Sequence, residues 1–73
     1  MIPHGFIEVT TLIDGKKALI RTDAIDAVYE NGPKNVDYGQ KPPCTSIDYD
    51  EAKSVDVIDS FEDVCTKMWQ SEL

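Results

Sequence analysis

Helical periodicity occurs only once in this chain, at its C-terminal end, and this limits the fold more than any other feature. Phe61, Val64, Cys65 and Met68 fall at i, i+3, i+4 and i+7, the spacing that lines one face of an α-helix. Trp69 widens this stripe, while Glu62, Asp63, Thr66, Lys67 and Gln70 form the polar face. Ser60 stands where an N-cap belongs, with Asp63 three residues on, a pattern close to a capping box. Acids at 62 and 63 also suit the positive helix N-terminus. The spacing therefore predicts a C-terminal helix over 60–71, with Ser60 as its cap. It also predicts a sheet for that helix to cover.

Strand signals fill the rest. In Phe6 to Ile13, Ile7, Val9, Thr11 and Ile13 alternate with Phe6, Glu8, Thr10 and Leu12, and β-branched residues dominate. Asp14-Gly15 follows, a dipeptide suited to a two-residue hairpin turn, and Lys17 to Arg21 reads as the returning strand. Thr22 to Asp26 reads as one capped turn, with Thr22 or Asp23 accepting from free backbone N–H groups. Ile25 to Glu30 reads as a third strand, with a short helix over 23–29 as the competing assignment. Cys44 to Tyr49 is a fourth strand, Asp50 to Lys53 a polar turn, and Ser54 to Ile58 a fifth strand.

Residues 31–43 hold two Gly, three Pro and two Asn. This composition predicts an irregular loop. Loops of this length in small domains tend to be functional or disordered, and Val36 and Tyr38 are its only side chains suited to anchor a ligand.

The expected fold is α+β: a five-stranded, twisted antiparallel sheet or partly open β-barrel, with one C-terminal amphipathic helix. Residues 1–73 form one small domain. The expected core is Ile7, Val9, Ile20, Ile25, Val28, Ile47, Val55, Val57, Phe61, Val64, Cys65 and Met68. A chain of 73 residues buries only about 60% of the surface its unfolded form exposes, so support from self-association is expected. Open sheet edges supply a route to it.

Charge and motif content narrow the function. Fourteen acids face seven bases, a net charge of −7. Between Ile47 and Asp63 there are seven acids (Asp48, Asp50, Glu51, Asp56, Asp59, Glu62, Asp63) and one base, Lys53. Direct nucleic-acid binding rests on Lys and Arg neutralising phosphates, and this balance opposes it. An acidic face ordinarily serves solubility; the sharper reading is a surface that docks on a basic partner or imitates nucleic acid.

Catalytic and metal signals are weak. His4 is the only histidine, so no Ser/His/Asp or Cys/His arrangement is legible. Cys44 and Cys65 with one distant His do not make the paired spacing of a structural zinc site. An EF-hand loop starting at Asp48 would need Gly at 53 and Glu at 59, and finds Lys53 and Asp59. The glycines are isolated, so no phosphate-cradling loop is present. No enzymatic activity, cofactor or metal is expected. No apolar run approaches the ~18 residues of a membrane span. The N-terminal residues lack the basic and apolar regions of a signal peptide. A cytoplasmic protein with reduced thiols is expected.

The order strand, Asp-Gly turn, strand, capped turn, strand, loop, hairpin, helix resembles the FlbD-like small flagellar proteins and their bacteriophage-encoded relatives. It is also similar to the β-rich DNA-binding LytTR domains. The carrying residues are Ile7-Glu8-Val9-Thr10, Asp14 to Ile20, Asp26-Ala27-Val28 and Val57 to Val64. The resemblance implies the β-rich plan and a phage origin. LytTR-type DNA binding would require basic loops, and the loops after residue 43 are acidic.

The expected function is a non-enzymatic, self-associating interaction module that binds another protein through its acidic surface. Its candidate partner-binding residues are Tyr38, Asp56, Asp59, Glu62, Asp63 and Trp69. A nucleic-acid-mimicking inhibitor is the first alternative. An oligomer that sequesters a small molecule around the 31–43 loop is the second.

Overall fold

The computed structural model describes residues 2–31, 34–36, 39–41 and 44–72. Strands β1 (Phe6–Thr10) and β2 (Lys17–Arg21) form an antiparallel pair. A 3-10 turn, Thr22–Ala24, leads to β3 (Ile25–Asn31). Two three-residue strands follow, β4 (Lys34–Val36) and β5 (Gly39–Lys41). Then come β6 (Cys44–Tyr49), β7 (Lys53–Val57) and the helix α1 (Phe61–Ser71). The class is α+β, with antiparallel sheets and one C-terminal helix.

The five principal strands do not make one sheet. They divide into a two-stranded sheet, β1-β2, and a three-stranded sheet in the order β3-β6-β7. The sheets meet where the end of β1 reaches the end of β7. Thr11 bridges Val57, the Ile58 N–H donates to the Thr10 carbonyl at 2.9 Å, and the Leu12 N–H donates to the Asp56 carbonyl at 2.9 Å. On the far sides, β2 and β3 are edge strands among the described residues, so the sheets do not close into a barrel.

The same junction corrects the first hairpin. The expected strand over 6–13 ends at Thr10 because the next residues turn to β7. The connection is a six-residue loop, Thr11 to Lys16, in place of a two-residue turn. The Thr11 N–H donates to the Lys16 carbonyl at 2.9 Å, and the Gly15 N–H to the Thr11 carbonyl at 3.0 Å. The Asp14 carboxylate accepts from the Thr11 hydroxyl and from the Lys16 N–H. The Thr11 hydroxyl, first, then the backbone N–H groups of Lys16 and of Asp14 itself hold the Asp14 carboxyl below the usual carboxylate range. Gly15 has φ +66°, the left-handed region that glycine enters at little cost. Ile13, expected on a strand face, lies in the loop and is 93% exposed.

The 3-10 turn carries no side-chain cap. The Thr22 hydroxyl donates to the Gly5 carbonyl, and Asp23 receives Arg21 Nε at 2.8 Å. A bulge at Asp26 follows in β3, and its carboxylate accepts the Glu51 N–H at 2.8 Å. This steadies the β6–β7 turn, in which Asp50 and Glu51 both adopt positive φ.

Segment 31–43 is not wholly irregular. Lys34 pairs with Lys41, Asn35 with Gln40 and Val36 with Gly39.

Ile7, Val9, Ile20, Ile47, Val57 and Val64 form the buried cluster, with Ala18, Ile25, Val28, Val55 and Met68 partly buried against it. Two expected members differ. Phe61 is half-buried and outside the cluster, and Cys65 is exposed. Cys44, by contrast, is buried. No described helix is long and apolar enough to cross a membrane.

Candidate partner-binding face

The helix starts as its sequence predicts. The Ser60 hydroxyl accepts the Asp63 N–H at 3.1 Å, and the helix then runs to Ser71. Its rotation about its own axis differs from the expected stripe. Val64 is buried at the centre of the contact, flanked by Phe61, Lys67, Met68 and Ser71, all partly buried. Lys67 was expected on the polar face and Cys65 on the apolar one, and the two have exchanged places. Relative to the expected stripe, the helix is turned by on the order of 50°, half of one residue's step.

Asp59 accounts for this rotation. Its carboxylate accepts the Thr10 N–H at 2.7 Å and the Lys67 ammonium at 2.7 Å. The same ammonium donates to the Glu8 carbonyl at 2.8 Å. The Asp59 backbone carbonyl accepts the hydroxyl of Thr45 at 2.6 Å, and Thr45 is itself buried. Asp59 thus joins β1, β6 and α1, with its side chain only 13% exposed. Burial pushes its carboxyl up, but the Lys67 and Thr10 donors and the Lys67 charge outweigh this and hold it below the usual range.

Asp59 is therefore removed from the expected acidic docking set. A carboxylate already receiving an ammonium and a backbone N–H inside the fold has little left to offer a partner. Asp56 is also engaged. Ser46 Oγ donates to its Oδ1 at 2.6 Å, and Asn31 Nδ2 donates in turn to Ser46 Oγ. This chain crosses β3, β6 and β7 on the face away from the core. Tyr38 lies outside the described residues.

The remaining three candidates share α1. Glu62, Asp63 and Trp69 are exposed, together with Cys65, Thr66 and Gln70. Trp69, expected at the edge of the helix–sheet contact, is 64% exposed because the rotation that brings Lys67 inward carries it outward. Glu62 and Trp69 are seven residues apart, two turns along the same side of the helix. A large indole standing in water on the side of the helix that carries the Glu62 carboxylate is a feature that packing does not require.

Tyr29, one of the aromatic side chains suited to anchor a partner, is exposed. Leu19 and Ile58 are two further apolar side chains, not expected as anchors, that are more than half exposed. Leu19 was legible, since it lies between Lys17 and Arg21 on the face of β2 opposite Ala18 and Ile20. The Asp59–Lys67 pairing carried no local signal. Among the described residues, no three of His, Cys, Asp and Glu gather closely enough to hold a metal ion.

Comparison with known proteins returns no match: no family model, no curated protein and no solved structure matches this chain.

Proposed function

We propose that this chain is a non-enzymatic interaction module, phage-encoded and cytoplasmic, that self-associates and captures another protein through the outward face of α1. The observation that carries this reading is Trp69, held 64% exposed on the same helix face as Glu62. Exposed aromatic anchors dominate the energetics of many interfaces. The complementary surface is an apolar pocket with a basic rim, where Glu62 and Asp63 steer the approach and Trp69 supplies the buried area. A kinship with the FlbD-like proteins, suggested by the order of strands and turns in the sequence, belongs to the same proposal.

The test is capture from cells of the source organism with three versions of the protein. Wild type is compared with Trp69→Ala and with Glu62→Lys/Asp63→Lys, each verified as folded by circular dichroism. The expected result is one stoichiometric partner, weakened about thirtyfold by Trp69→Ala, the effect of removing a hot-spot anchor. Equal capture by all three versions would rule out this face. Competition by duplex DNA for the captured partner would favour the nucleic-acid mimic instead.

A further inference from the structure

We infer that copies of this chain join head to tail, the outer edge of β2 in one copy pairing antiparallel with the outer edge of β3 in the next. The inference rests on the self-association half of the proposed function and specifies its surface. Both strands are sheet edges. β2 pairs only with β1 and β3 only with β6 among the described residues. An unpaired edge presents a row of N–H and C=O groups and is a template for another strand.

The charges select the partner edge. The exposed residues of β2 include Lys17 and Arg21, on either side of Leu19. Those of β3 include Asp26 and Glu30, on either side of Val28. Two copies of β2 paired about Leu19 would set Lys17 against Arg21. Two copies of β3 paired about Val28 would set Asp26 against Glu30. Like charges directly opposite destabilise a strand pair, so both symmetric pairings are disfavoured. Pairing β2 with β3 of a second copy reverses the sign of the interaction. Lys17 then faces Glu30, Leu19 covers the partly buried Val28, and Arg21 lies toward Asp26 in its bulge. The present partners of these bases do not compete strongly. Lys17 with Glu8 (3.3 Å) and Arg21 with Asp23 (2.8 Å) are surface pairs with Lys17 and Arg21 well exposed, a class worth little in water.

Such an interface is heterologous. It leaves one free β2 edge and one free β3 edge at the ends of any open assembly, so it closes into a ring or continues as a filament. Apolar support comes from Leu19, which is 51% exposed in the single chain.

The experiment is sedimentation velocity on the whole chain up to about 0.1 mM, at low and high salt, since surface charge pairing is screened within about 10 Å at 0.1 M. Two charge-reversed proteins accompany the wild type: Lys17→Glu/Arg21→Glu, whose edges are both acidic, and Glu30→Lys, which removes the acid facing Lys17. Circular dichroism verifies that each is folded. The expected result is that the wild type associates and that each variant alone associates at least about tenfold more weakly. A mixture of the two forms a 1:1 complex, because β3 of the first and β2 of the second are both native. A wild type that stays monomeric would overturn the edge pairing and the self-association half of the function, leaving capture through Trp69 to its own test. A wild type that associates as strongly as both variants would overturn the assignment to these edges while self-association stands.

Discussion

The ammonium of Lys67 sits 2.7 Å from Asp59 Oδ2 and 2.8 Å from the Glu8 carbonyl, so one side chain ties the helix to the residue before its cap and to the first strand. Eight residues separate Lys67 from Asp59, beyond the i,i+4 reach of pairs within a helix. This contact, not the apolar stripe alone, sets which side of α1 faces the sheet. Asp59→Asn should cost about 1–2 kcal/mol at neutral pH, a charge-assisted hydrogen bond discounted for the partial exposure of Lys67.

The pH dependence of that loss has a definite sign. The Asp59 carboxyl is held below its ordinary value in the folded state. Its contribution is therefore fully present above the unfolded aspartate value, near ~3.9, and disappears as pH falls through the lower folded value. Urea unfolding of wild type and Asp59→Asn should give a stability gap at pH 7 that narrows at about pH 3. A gap of equal size at both pH values would mean that ionisation of Asp59 plays no part.

Val64 and Cys65 are neighbours with opposite fates. Val64 is fully buried and Cys65 exposed. Val64→Ala should destabilise by about 2 kcal/mol, through lost burial and a residual cavity. Cys65→Ala should fall within about 0.5 kcal/mol of wild type. A thiol reagent added to the folded protein should label Cys65 at once and Cys44 only on unfolding; two fast thiols would contradict the buried position of Cys44.

Ser60 accepts the N–H of Asp63, one of the otherwise free donors in the first turn of the helix. Ser60→Ala should cost about 1 kcal/mol, and Ser60→Asp should retain most of the stability because its carboxylate also caps. Helix content by circular dichroism and a denaturation midpoint read both.

Gly15 has open space around the position a Cβ would occupy, so a substitution there tests backbone conformation alone. At φ +66°, Gly15→Ala should cost about 1 kcal/mol with no loss of packing. An unchanged midpoint would show that the Thr11–Lys16 loop adopts another conformation at little cost.

Much of this fold is legible from local pattern. The alternation in Phe6–Thr10, Lys17–Arg21 and Cys44–Tyr49 marks strands, and Ser60 with the stripe behind it marks the helix and its start. These signals survive because each depends on residues within a turn or two of one another. The partner-binding candidates were less legible. Of the four acids proposed, Asp59 faces inward and Asp56 is bonded to Ser46, while Glu62 and Asp63 stand exposed on the helix that also carries Trp69.

By itself, then, the sequence determined the five principal strands, the C-terminal helix, their order and the antiparallel α+β class, because backbone geometry and side-chain periodicity are local. Only the tertiary structure decided that β1 leaves β2 at Thr10 to meet β7, that the strands divide two and three, and that α1 turns Lys67 inward and Trp69 outward. Those outcomes depend on hydrogen bonds between residues far apart in the chain, Ile58 to Thr10 and Lys67 to Glu8, with the Lys67–Asp59 pair reaching from the helix to the residue before its cap. Thr10 and Ile58 lie 48 residues apart and Glu8 and Lys67 lie 59 apart, so no local pattern contains both partners.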